Sequence, residues 1–148
     1  MALTAKVFTY QADVAWESDR LGSAAAEGRP QLPVAPPPDF PGGDETRWSP
    51  EHLFLASLQS CTMLSALAHC AHNGIEVQSY RSTGHGEIAR RENDGRYAFQ
   101  RVMLTVSMRV APGQAERART LTGKFSRDCF ITASTRAEVE HDWRIIEG

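Results

Sequence analysis

Residues 48–63 read WSPEHLFLASLQSCTM, and this stretch organises the rest of the chain. Ser49 is a strong N-cap residue, and Pro50 stands at the first helical position, where its fixed φ suits the helix and its missing N–H removes no bond. Glu51 adds a carboxylate at the positive end of the dipole. The apolar run continues to Ala71 and stops at Asn73-Gly74, a usual C-terminal signal. These signals predict a helix of about 24 residues, apolar around most of its circumference and so buried on several sides. Ser57, Gln59, Ser60, Thr62, Ser65 and His69 interrupt the run. Hydrocarbon would penalise those groups, so the segment reads as a core helix and not as a membrane span.

Working outward, residues 6–17 are rich in β-branched and aromatic side chains and predict a strand. Turn residues from Ser18 to Gly22 follow, and residues 22–35 predict a short return strand. Pro33, Pro36, Pro37, Pro38 and Pro41, then Gly42-Gly43, predict a stiff, extended loop over 33–46. Beyond the helix, residues 77–90 and 97–111 read as two long strands joined by a hairpin turn at Glu92-Asn93-Asp94-Gly95. A helix presenting Ala115, Ala118, Leu121 and Phe125 on one face comes next, then Cys129, then an alternating strand over 137–146. The pattern predicts one α+β domain spanning 1–148, with antiparallel strands early and late and a central buried helix packed on them.

The chain has 148 residues and a net charge of −2, with both signs interspersed. That balance argues against nucleic acid and against an acidic membrane surface as partners. No basic segment followed by an apolar run and a small-residue cleavage site opens the sequence, so a cytoplasmic location is expected. Cys61, Cys70 and Cys129 are the three cysteines. An odd number without framework spacing points to reactive or buried thiols and away from structural disulfides.

Cys61 and Cys70 lie nine residues apart on the helix. They face opposite ways and stand about 13 Å apart along the axis, too far for a bridge within one chain. Cys129 is free to dock beside either, and geometry does not choose between them. Burial raises a thiol pKa, and a helix dipole acts only over the first turn. An active Cys61 therefore needs a cation from elsewhere: Arg20 in the early turn, Arg47 before the helix, or an arginine on the later strands. Glu51 precedes Cys61 by ten residues, about 15 Å along the axis, so the two share a site only if another subunit or a long side chain spans the gap. His69, Cys70, His72 and His85 lack the paired spacings of structural zinc motifs, and no metal or cofactor is expected. No phosphate-cradling loop, dinucleotide fingerprint or nucleophile elbow is present.

WSPEHLFLASLQSC resembles the start of the central helix in the OsmC/Ohr family of thiol-dependent hydroperoxide reductases. Both have a Pro-Glu pair opening a buried helix and a cysteine ten residues after the glutamate. KFSRDCFITASTRAEVEHDWRI, residues 124–145, is similar to the family's second-cysteine region. The resemblance implies an OsmC-like fold, with antiparallel sheets wrapped around the long helix of an intertwined homodimer. It also implies that Cys61 is the peroxidatic cysteine and Cys129 the resolving one. Glu51 takes the place of the glutamate that holds an active-site arginine; Arg20 matches that arginine in the Ohr branch, with Arg47 the competitor from the OsmC branch. Phe130 stands where many members have proline.

The activity implied is reduction of organic, alkyl or fatty-acyl, hydroperoxides through a Cys61 sulfenic acid and a Cys61–Cys129 disulfide. An external dithiol, such as a lipoylated protein, would restore the thiols. Phe54, Leu58, Met63 and Trp48 are the expected apolar lining. Two other readings compete. A hotdog-type acyl-CoA thioesterase would use Glu51 as base or nucleophile and leave the cysteines in the core. A non-catalytic binding module would keep the fold without the thiol cycle.

Overall fold

The computed structural model describes residues 5–148. The chain divides into two compact units, one ending at Leu53 and one running from Phe54 to Gly148. The first holds an antiparallel sheet in the order β1-β2-β3, built from β1 (Asp13–Ser18), β2 (Leu21–Ala25) and β3 (Leu32–Val34). The predicted first strand is thus shorter than its composition suggested, because residues 6–12 find no ladder partner. Asp19, at φ 47°, turns the chain into β2, and the Trp16 indole N–H donates to its carbonyl at 2.9 Å.

The proline-rich loop is folded on itself, which corrects the expectation of an extended segment. Phe40 N–H donates to Pro37 O, Gly43 N–H to Phe40 O and Asp44 N–H to Pro36 O, each at 3.0–3.1 Å. Prolines pre-set φ for successive turns, and the two glycines permit the closure. Pro33 sits inside β3, which forms its ladder with β2 while Val34 also bridges Trp48, and Pro33 is tolerated in this short three-residue strand.

Helix α1 (Pro50–His72) begins and ends as its sequence predicts. The Ser49 hydroxyl accepts from His52 N–H at 3.1 Å and lies 2.6 Å from His52 Nδ1. At the far end Gly74 has φ 68°, and Ile75 N–H returns to Cys70 O at 2.8 Å, a Schellman-type closure. Leu58, Thr62, Ala66 and Cys70 form its buried stripe. The expected burial on several sides is not met in the single chain, where Leu64 stays 61% exposed. By length and composition α1 could cross a bilayer, but its buried residues belong to the core.

That core lies in the second unit. β4 (Val77–Arg90) and β5 (Tyr97–Val110) form the predicted hairpin, and Val102, Leu104, Val106, Met108 and Val110 alternate into the interior. Gly95, at φ 70°, closes the turn. The predicted single helix after β5 breaks into α2 (Ala115–Arg119) and α3 (Thr122–Arg127) around Thr120 and Leu121. Thr120, Thr122 and Gly123 are poor helix formers, yet Ala115, Ala118, Leu121 and Phe125 are all buried as their spacing predicts. A further short helix, α4 (Phe130–Ala133), follows Cys129. β6 (Glu138–Glu147) pairs in parallel with β5, giving the order β4-β5-β6. This corrects the all-antiparallel expectation: the connection through α2, α3 and α4 is long enough for a crossover, which returns the chain in the same direction. Phe125 and Trp143 meet edge to face, with centroids 5.3 Å apart.

Candidate active site

Within the first unit, Arg20 and Glu51 line one cavity of about 570 Å³. Its other walls are Val14 and Trp16 of β1, Val34 of β3, and Pro36, Pro37 and Phe40 of the folded loop. Arg20 reaches the cavity from the β1–β2 turn by passing over Gly42, whose φ is 77°; a Cβ there would lie 2.8 Å from Arg20 Cδ. Glu51 Oε2 is buried and has no hydrogen-bond partner. Arg20 likewise makes no ion pair among the described residues, so one charge of each sign borders the cavity without a partner. Arg47 is differently placed. Its guanidinium reaches Glu17 at 3.4 Å and the Gly22 carbonyl at 3.3 Å, and it does not line the cavity.

The cavity beside Arg20 and Glu51 is not walled by the residues expected as apolar lining. Trp48, Phe54, Leu58 and Met63 are all absent from the cavity walls, and Leu58 is fully buried. The correction has a simple cause. Leu58 belongs to the helix stripe that packs on Val102 and Leu104, whereas the open apolar surface comes from β1, β3 and the proline loop.

Within the second unit, Cys61 and Cys129 are brought together. Cys129 is fully buried and caps α4, its Sγ accepting from Thr132 N–H at 3.4 Å and lying 3.9 Å from the Leu58 carbonyl. Cys61 is half-buried, and Cys129 and the Ile131 and Phe130 amides lie close enough to act on its sulfur. The first turn of α4 therefore presents N–H groups to both sulfurs.

The two thiols are driven in opposite directions. Burial pushes Cys61 up, the Ile131 and Phe130 amides pull it down, and the neighbouring Cys129 adds to the rise. Burial also works against a charged Cys129, but the Thr132 side chain and N–H, then the Thr62 hydroxyl and the Cys61 thiol, outweigh it and hold Cys129 below the ordinary thiol value. No cation is among the groups that act on Cys61 in the single chain. Cys70 sits alone in the core beside Met108 and Phe125, raised by burial, and makes no contact with another thiol.

Three features near the thiols escaped the sequence reading. α4 is four residues long, too short for apolar periodicity to show; a Cys followed three residues later by Thr was its only trace. Tyr80 buries its hydroxyl without a partner and is pushed up to about 12 by burial and then by Cys129. His69, read as a dipole-favouring or metal-ligating residue, instead lies 2.7 Å from Asp128. Among the described residues, no cluster of three or more His, Cys, Asp or Glu side chains is arranged to hold a metal ion.

A paired-thiol centre on a two-sheet α+β fold with a long apolar helix defines a class of protein, and the comparisons assign it. The family described as OsmC-like protein matches residues 42–144, and the chain belongs to that family. Its structure resembles an OsmC-like protein of unknown function from Vibrio cholerae at TM-score 0.85 and 21% identity, over 93% of this chain and 99% of that one. An organic hydroperoxide resistance protein from Elizabethkingia anophelis matches at TM-score 0.75 and 20% identity, over 98% and 100% of the two chains. The organic hydroperoxide resistance protein OhrB of Bacillus subtilis matches at TM-score 0.65 and 19% identity, over 93% and 98%. The search of curated proteins finds no match. At these identities the likeness establishes the fold.

Proposed function

We propose that the protein is a thiol-dependent peroxidase that reduces organic hydroperoxides. The observation that carries this reading is the contact of Cys61 with Cys129 at the first turn of α4, in a chain of the OsmC family. The Cys61 thiolate attacks the distal, hydrogen-bearing oxygen of ROOH, the O–O bond breaks, and the alkoxide takes a proton to leave as ROH. Cys61 is then a sulfenic acid. Cys129 sulfur attacks it, the S–O bond breaks, water leaves, and a disulfide remains. An external dithiol, with a lipoylated protein as the proposed carrier, takes up that oxidation as its own disulfide and returns both thiols. The whole chain acts as a single OsmC-like domain, in the cytoplasm and without a cofactor.

Activation of Cys61 requires a second copy of the chain. In an intertwined homodimer, Arg20 of one chain, oriented by its Glu51, would meet Cys61 of the other and lower its pKa from ~8.5. The uncovered apolar surface supports such a partner: every residue of β1 is exposed, with Val14 and Trp16 each at 76%. So does the exposed Leu64 of α1. The cavity's apolar walls favour alkyl or fatty-acyl hydroperoxides over hydrogen peroxide, which has no apolar part to bury. Steady-state turnover of cumene hydroperoxide with a dithiol tests the reading. It is expected to be lost in Cys61→Ser, and full turnover by that variant would refute it.

One observation favours a second reading, the acyl-CoA thioesterase: Glu51 buries an unpartnered oxygen at an apolar cavity, as a carboxylate base or nucleophile would. That reading leaves the thiol contact without a role. Acyl-CoA hydrolysis lost in Glu51→Gln but retained in Cys61→Ser would establish it. Absence of both activities would leave the binding-module reading.

A further inference from the structure

Cys129 sits on a two-residue link, Asp128-Cys129, between α3 and α4. Those helices have six and four residues, too few to be rigid on their own. The sulfur nevertheless has to meet Cys61 along a defined line. When the sulfenic acid condenses, Cys129 Sγ attacks Cys61 Sγ from the side opposite the departing oxygen, and the new S–S bond closes to about 2.05 Å.

Asp128 supplies the side-chain anchor for this link. Its Oδ2 accepts from His69 Nε2 at 2.7 Å, and Arg127 donates to both carboxylate oxygens at 2.9 and 3.1 Å. The His69 ring is backed by Phe125 of α3, with centroids 5.9 Å apart. His69 is on α1, eight residues beyond Cys61, so the helix that carries the first thiol also holds the link that carries the second.

We propose that the His69–Asp128 contact is a positioning device for resolution: it holds Cys129 in line for the attack on the Cys61 sulfenic acid. The inference rests on the peroxidase reading and extends it to two residues outside the thiols. Asp128 and His69 touch no reacting atom; they act through the backbone of Cys129. The carboxylate's strong preference for the charged form, at about 2 because of Arg127 and then His69, agrees with a contact that is kept at working pH.

The test separates the two chemical steps. Reduced full-length protein is mixed with one equivalent of cumene hydroperoxide in the presence of dimedone, and intact masses are followed with time. Asp128→Ala is expected to consume hydroperoxide at the parental rate but to form the Cys61–Cys129 disulfide between about 10- and 100-fold more slowly, with the dimedone adduct accumulating on Cys61. His69→Ala must reproduce this from the other side of the contact. Asp128→Asn still accepts from His69 and His69→Gln still donates to Asp128, so both should resolve within about threefold of the parent. Parental disulfide formation in Asp128→Ala or His69→Ala overturns the inference, as does equal slowing in the Ala and Asn variants. Should Asp128→Ala fail to fold, the His69→Ala and His69→Gln pair decides. If the parent itself yields neither adduct nor disulfide, the peroxidase reading falls, and the inference falls with it.

Discussion

The two compact units carry different kinds of reactive group. The first borders an open apolar cavity with a cation and a carboxylate oxygen, neither of them partnered among the described residues. The second packs two thiols together at a short helix start, where the groups acting on Cys61 are two amides and another thiol. An apolar cavity tolerates an uncompensated buried carboxylate oxygen poorly, and burial disfavours the thiolate of Cys61. Each unit therefore leaves a different group poorly compensated. The thiol pairing is a local property of the second unit, whereas the proposed activating cation, Arg20, lies in the first.

The largest effect that could break this comparison is removal of the nucleophile. Cys61→Ser should lower hydroperoxide turnover by at least about 10³-fold in a coupled dithiol assay. Residual activity near the parental level would mean that the second unit does not hold the chemistry. Next comes the cation. Arg20→Ala is expected to lower kcat/KM by about 100-fold and to move the rise of activity to higher pH, since Cys61 then keeps the elevated pKa that burial gives it. Arg47→Ala should change kcat/KM by less than about threefold, because its guanidinium is already engaged by Glu17 and Gly22.

A smaller effect probes how Arg20 is delivered. Gly42→Ala places a Cβ against Arg20 in a backbone conformation that L side chains rarely adopt. It should cost about 1 kcal/mol in a urea melt and lower activity less than Arg20→Ala does. An activity loss equal to that of Arg20→Ala would instead make the loop itself part of the site. The smallest concerns acid stability. Asp128 is lowered from 3.8 to about 2 in the folded chain, so its contribution is fully present above pH ~4 and is lost as pH falls toward ~2. The parent's urea midpoint should fall across that window more than that of Asp128→Asn; parallel curves would contradict the ion pairing.

Helix α1 was legible in the sequence because its signals are local: a cap, a proline at the first position and a glycine stop. The β4–β5 hairpin was legible for the same reason. The direction of β6 was not, because parallel and antiparallel pairing carry the same alternation and only the route of the crossover separates them. Among the candidate residues, Cys61, Cys129 and Glu51 stand out by spacing and resemblance, and Arg20 and Arg47 remain alternatives. What separated those two geometrically was Glu17, which occupies Arg47, and Gly42, which lets Arg20 through. Neither is visible as a pattern. The His69–Asp128 contact joins residues 59 positions apart, and no local rule pairs them.

Subunit complementation tests the central claim, that a second chain's cation activates Cys61, most directly. Cys61→Ser and Arg20→Ala chains, each inactive alone, are unfolded together, refolded and assayed with cumene hydroperoxide and a dithiol. If the site is assembled from two chains, each mixed dimer regains one intact centre, and random pairing restores about a quarter of the parental activity. If the mixture stays as inactive as its components while forming mixed dimers by mass, Arg20 does not serve the partner's Cys61, and the account is wrong at its centre.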